Sequence, residues 1–145
     1  MSNDGTAGGN RQYWLLKSEP STYGWDDLIA EGTGTWDGVR NHQAKKNLTA
    51  MRKGDVALFY HSVVGKEVVG TCEIVEEAFP DPTDPTGTWR AVRVQARERF
   101  AKPVCLARIK AEPALADIAL IKQSRLSVMP ITPVEFERIV ALAKG

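Results

Sequence analysis

Val56-Ala57-Leu58-Phe59-Tyr60-His61 and Val68-Val69-Gly70-Thr71-Cys72-Glu73-Ile74 are two apolar runs, and the stretch between them ends in the turn signal Gly65-Lys66-Glu67. Each run is short and rich in β-branched and aromatic residues, so together they read as strands folded back on one another. In the first run, alternation splits Val56, Leu58 and Tyr60 from Ala57, Phe59 and His61, which sends the two sets to opposite faces of a sheet. Trp89 to Phe100 reads as a third strand, set apart by Pro80-Asp81-Pro82-Thr83-Asp84-Pro85. No strand or helix crosses so many prolines. Tyr13-Trp14-Leu15-Leu16-Lys17 adds a strand near the start and Leu126-Ser127-Val128-Met129 a short closing one.

Helices fill the gaps. Gly24 precedes Asp26 and Asp27, acidic residues suited to a first turn, and Gly32 stops that short helix. Ala44, Leu48 and Met51 recur at helical spacing up to Gly54, which leaves Lys45, Lys46, Asn47, Arg52 and Lys53 outside. Pro113 to Asp117 predicts a helical turn. Thr132-Pro133-Val134-Glu135 is a capping box with proline at the first helical position, and Phe136, Ile139, Val140 and Ala143 continue it as an apolar stripe. The expected class is α+β: a mixed, largely antiparallel sheet, strongly curved or closed as a barrel, with peripheral helices.

Residues 1–11 are polar and glycine-rich and read as a disordered tail, leaving residues 12–145 as one domain. No apolar run approaches membrane-helix length, so a soluble, intracellular, cytoplasmic protein is expected. Cys72 and Cys105 lie in apolar stretches without CxxC spacing, which predicts buried free thiols in a reducing compartment. His42 and His61 are the two histidines, and no ligand spacing surrounds them, so neither a metal nor another cofactor is expected. The net charge of +1 argues against a protein that grips nucleic acid mainly through the phosphate field. The charge is uneven, however. Arg40, Lys45, Lys46, Arg52 and Lys53 make one basic cluster, while Glu73, Glu76, Glu77, Asp81 and Asp84 make a later stretch acidic.

Trp36-Asp37-Gly38-Val39-Arg40-Asn41 packs an aromatic, a carboxylate, a glycine turn, a guanidinium and an amide into six residues. Trp36 reads as the start of a turn, where it either stacks a flat ring or packs as a core anchor. Asp37 and Asn41 either line a pocket or stabilise the turn and the helix start. Arg40 reads as a ligand contact that either clamps phosphate or stacks on a ring, because a turn residue gains little else from a guanidinium. Lys17, Ser18 and Glu19 end the first strand, where they suit the edge of a base or remain solvated. Tyr60 and Ser62 share a face and are placed toward the pocket ahead of His61. Lys45, Lys46 and Ser124 join the candidate contacts, and Arg125 is either a phosphate contact or a partly buried structural cation.

Tyr13-Trp14-Leu15-Leu16-Lys17-Ser18-Glu19-Pro20, Trp36-Asp37-Gly38-Val39-Arg40-Asn41, Phe59-Tyr60-His61-Ser62 and Gln123-Ser124-Arg125-Leu126-Ser127-Val128-Met129-Pro130, taken in order, resemble the EVE domain family. The resemblance covers nearly all of the chain after the tail. It implies a PUA-like β-barrel, in the superfamily that also holds the YTH readers of methylated adenine in RNA. It further implies a reader of modified bases, notably 5-methylcytosine and other modified cytosines in DNA, with RNA as the second choice of partner. In that reading a base stacks on Trp36 with Tyr60 as a second wall; Lys17, Ser18, Glu19, Asp37, Asn41 and Ser62 line the pocket. Arg40, Lys45, Lys46, Ser124 and Arg125 then hold the flanking nucleic acid. Two departures from the family pattern are Gly24 in place of a serine and His42 in place of a tyrosine. A non-catalytic role is expected. The rival readings are an ASCH-like amidohydrolase acting on a modified nucleoside, with Lys17 and Glu19 as an acid/base pair, and a protein-interaction module.

Overall fold

The computed structural model describes residues 11–145, so the expected tail lies, apart from Arg11, outside the described residues. The chain runs through β1 (Tyr13–Ser18), α1 (Pro20–Tyr23), α2 (Trp25–Glu31), β2 (Thr33–Trp36), α3 (His42–Ala50) and β3 (Val56–His61). It continues through β4 (Glu67–Pro80), β5 (Arg90–Cys105), α4 (Leu106–Lys110), a 3-10 turn (Pro113–Leu115), α5 (Ala119–Lys122), β6 (Val128–Ile131) and α6 (Pro133–Lys144).

The strands form one six-stranded sheet in the order β2-β5-β4-β3-β1-β6. Its end strands stay separate, so the barrel alternative gives way to a sheet left open. Curvature comes from irregular pairing: β4 and β5 change register at four places, and β3 and β4 change register between Phe59 and Tyr60. Each such bulge bends its strand and increases the local twist. These bulges also let β4 and β5 run past Ile74 and Phe100, further than alternation predicts.

The parallel pair β1 and β3 decides where a site can form, because Lys17 lies opposite Tyr60 and Ser18 opposite His61. Both strands therefore end at one place. A parallel connection needs a crossover, supplied here by α1, α2, β2 and α3. The carbonyl of Ser18 accepts the Ser62 amide at 2.9 Å and extends the pairing by one step.

The core is continuous from Trp14, Leu15 and Leu16 through Trp25, Leu58, Phe59 and Val94 to Ile139. Gly70 is required at its crowded point. A Cβ there would press on the Glu98 carbonyl and lie 2.6 Å from the Trp25 ring. Asn47, expected outside, is buried and donates to the Val128 carbonyl at 2.7 Å, tying α3 to β6. The α6 capping box forms as expected, with reciprocal Thr132 and Glu135 bonds of 3.1 and 2.9 Å. Of the two thiols only Cys72 is buried, and burial pushes it up to about 12. Cys105 is exposed, because alternation along β5 turns it outward once Val104 points in. Among the described residues, no helix is long and apolar enough to cross a membrane.

Candidate functional site

Where β1 and β3 end, a cavity of about 440 Å³ opens between the β3–β4 turn and the segment that precedes β6. Its polar lining is Lys17, Tyr60, Ser62, Lys66 and Ser124; Val63, Leu106 and Leu120 supply the apolar walls. The Lys17 ammonium donates to the Ser124 carbonyl at 2.7 Å and sits 6.0 Å from the centre of the Tyr60 ring. Burial lowers the pKa of Lys17 and raises that of Tyr60, to which the nearby Cys105 adds. Lysine, phenol and hydroxyls against aliphatic walls suit a flat ligand that carries polar edges and a small apolar group.

Tyr60 and Ser62 face this cavity and His61 does not. The His61 Nε2 accepts the Trp25 amide at 3.0 Å, and burial lowers its pKa, which keeps the ring a neutral acceptor. Ser124 also borders a shallower depression of about 360 Å³ with Asn41, Gln43, Gln123 and Arg125. Arg125 is exposed there, which removes the buried structural cation as an alternative. Asn41 caps α3 by accepting the Ala44 amide at 2.9 Å, so its turn role is realised alongside its place at the depression.

Trp36 differs from the expected placement. It ends a strand, since Thr33–Trp36 pairs with β5 from Gln95 to Val92. Alternation then drives Gly34 and Trp36 inward together. The indole is 6% exposed and meets Phe59 and Tyr23 edge-on, with centroids 5.4 and 6.1 Å away. It is not among the side chains that line the cavity with Tyr60.

Arg40 is also engaged within the protein. Its guanidinium donates to Asp81 at 3.0 Å, to the Thr83 hydroxyl at 3.1 Å and to the Val39 carbonyl at 3.0 Å. Asp81, part of the later acidic stretch, is 1% exposed and also accepts the amides of Gly38 at 2.8 Å and Thr83 at 2.7 Å. Asp37 lies nearby at the surface, its carboxyl raised by partial desolvation and by Asp81. Glu19 is exposed, outside the cavity, and its carbonyl accepts the Thr22 and Tyr23 amides of α1. Lys45 and Lys46 lie along α3, where Lys45 approaches the Trp89 ring at 5.8 Å. The signal for the Asp81 anchor was present as a repeat, Asp81-Pro82-Thr83 and Asp84-Pro85-Thr86. In each, the aspartate accepts from the threonine two residues on, which is the Asx turn.

These loop carboxylates give a pH dependence of definite sign. Burial pushes the Asp81 carboxyl up, but bonds from Thr83, Gly38 and Arg40 outweigh it and leave a net depression. Asp84, bonded by the Thr86 hydroxyl and the Trp89 amide, is lowered from 3.8 to about 2. A depressed carboxylate stabilises the fold above its unfolded pKa and loses that contribution as pH falls through the folded one. The loop is therefore expected to loosen between about pH 4 and about pH 2. NMR shifts of the Thr86 and Trp89 amides should titrate together with a midpoint of about 2; a midpoint at 3.8 would contradict the bonded loop.

An open, bulged mixed sheet with crossover helices and a cavity at its parallel strand ends places the chain among α+β domains of YTH-like architecture. The YTH domain of a Zygosaccharomyces rouxii protein, solved with N6-methyladenosine RNA, has a TM-score of 0.61 at 19% identity, over 92% of this chain and 87% of that one. That likeness concerns the fold alone. The EVE domain model matches residues 12–142, and the chain belongs to the EVE domain family. An NMR structure from Rhodopseudomonas palustris is 50% identical with a TM-score of 0.87, over 92% of this chain and 93% of that one. Human thymocyte nuclear protein 1, crystallised in complex with DNA containing 5-methylcytosine, is 33% identical with a TM-score of 0.85. That match covers 92% of this chain and 98% of the crystallised human chain.

Four residues singled out from sequence, Lys17, Tyr60, Ser62 and Ser124, meet in the cavity. Lys66, Val63, Leu106 and Leu120 were missed. Nothing in periodicity marks Leu106 and Leu120 as lining, since each sits on a short helix that apolar spacing did not reveal.

Proposed function

We propose that the chain is a non-catalytic module that binds nucleic acid carrying a modified base, with 5-methylcytosine in DNA as the favoured ligand. The observation that carries the reading is the cavity of about 440 Å³ at the β1 and β3 ends, seen beside a relative of the same family crystallised with such DNA. Its walls divide the work. Val63, Leu106 and Leu120 offer apolar contact to a methyl group, and the Lys17, Ser62 and Ser124 groups address the polar edge of the ring. A buried methyl adds about 0.8 kcal/mol, so the modification alone gives only a severalfold preference. The Arg125 depression continues from Ser124 and suits the flanking backbone.

Fluorescence titration with short oligonucleotides carrying cytosine or 5-methylcytosine tests this reading. Methyl-dependent binding is expected, and Lys17→Met should weaken it by about tenfold or more, the loss of one charged hydrogen bond. The variant also loses the bond to the Ser124 carbonyl, so its melting temperature is read beside the titration to confirm that it is folded at the assay temperature. Equal binding of both oligonucleotides would defeat the reading, and a nucleoside product in the mixture would replace it with catalysis.

A further inference from the structure

The turn from Ser62 to Lys66 beside the cavity combines strain, rigidity and exposed apolar surface. Val63 has φ of +67°, and the Val64 amide bonds the Ser62 carbonyl at 2.7 Å across it. This is a γ-turn with a β-branched residue in the left-handed region, a rare and strained arrangement. Gly65 and Lys66 follow at φ of +88° and +48°. Both ends of the turn are pinned: the Ser62 amide binds the Ser18 carbonyl at 2.9 Å, and the Lys66 carbonyl accepts the Leu106 amide at 2.8 Å. At the tip, Val63 and Val64 are 62% and 65% exposed. Val63 lines the cavity mouth as well. Strain held by its surroundings gathers at functional positions, and an exposed valine pair gains nothing from solvent.

We propose that the Val63–Val64 tip is a wedge that enters a DNA duplex where the target base has left the stack for the cavity. The inference rests on the base-binding reading above. A base in a duplex reaches a pocket of this kind only by extrusion, and the gap it leaves exposes the faces of its neighbours. Apolar side chains that fill such a gap offset part of the unstacking cost. The geometry matches this requirement, because the tip adjoins the cavity that would receive the base. Lys66 closes the same turn and lines the cavity, placing a cation beside the displaced strand. A turn pinned at both ends keeps the tip in place before DNA arrives, so little order has to be imposed on binding.

The test compares wild type with Val64→Ser, a change at the tip that leaves Val63 in the cavity lining. The probes are one 5-methylcytosine strand alone and the same strand in a duplex with 2-aminopurine next to the modified base. Val64 is 65% exposed, so the variant should fold, as a thermal melt would verify. The expected result is about tenfold weaker duplex binding, single-strand binding within about twofold of wild type, and loss of the 2-aminopurine rise seen with wild type. Equal losses on both probes would make the turn a cavity wall only, and unchanged duplex binding would give the tip no part; either overturns the wedge. If wild type ignores the methyl group even in the single strand, the base-binding reading itself fails and the wedge falls with it.

Discussion

Trp36→Ala is expected to lower the unfolding free energy by about 3–5 kcal/mol, the range for truncating a large buried aromatic. The indole is 6% exposed, and its removal strips a ring from a T-shaped cluster in which Phe59 also meets Trp25. Gly34, the other inward residue of the same strand, cannot fill the void, because it has no side chain and Tyr23 already covers it. For a domain of this size the loss corresponds to a fall in melting temperature on the order of 10 °C, readable by circular dichroism. A fall of only a degree or two would show that Trp36 is not a core residue and would return it to the binding surface. The consequence for function is direct. A weaker signal from the alanine variant in the proposed DNA-binding test would report a weakened fold, so Trp36→Phe, which keeps most of the apolar volume, is the variant that separates the two roles.

The difference between expectation and structure at Trp36 is a matter of local against non-local pairing. Thr33-Gly34-Thr35-Trp36 is too short to declare a strand by alternation, and only its partner on β5, distant in sequence, makes it one. Arg40 follows the same logic, since its partner Asp81 is 41 residues away. By contrast, features specified within a few residues were legible. The Gly24 and Thr132 helix starts, the hairpin from Val56 to Ile74 and the turn at Pro113 all appear where local chemistry puts them. The candidate cavity was half legible for the same reason. Lys17, Tyr60 and Ser62 stand at ends of strongly periodic strands, so their positions follow from alternation. Leu106 and Leu120 reach the cavity through short helices of five and four residues, whose placement is set by packing. Closure of the sheet was beyond a sequence reading, because it depends on how many bulges accumulate between β4 and β5.

Asp55→Ala should cost roughly 3 kcal/mol or more, through donors left without an acceptor. Asp55 is 2% exposed, and its carboxylate accepts the Trp14 indole N–H at 3.0 Å, the Arg52 amide at 2.9 Å and the Gln12 amide at 3.1 Å. Alanine strands all three. The indole N–H suffers most, because Trp14 is 5% exposed and water does not replace the lost oxygen, whereas Gln12 is exposed and can be hydrated. Asp55→Asn then provides the discriminating case. Its single oxygen can take the place of Oδ2, which serves both Trp14 and Arg52, while its amide nitrogen turns toward the Gln12 amide, donor against donor. The asparagine variant should therefore lie between alanine and wild type in a urea titration, with an unchanged m-value. Equal losses for the two variants would show that charge, and not the count of acceptors, sets the cost. The site depends on this anchor as well as the fold. Asp55 joins the start of β1 to the residue before β3, and so fixes the pairing of Tyr13 with Val56 from which the Lys17 and Tyr60 pairing follows. A slip of one residue would turn either side chain to the opposite face of the sheet. The folded fraction of Asp55→Asn should accordingly behave as wild type in the proposed binding test, because the register survives as long as the Trp14 bond does.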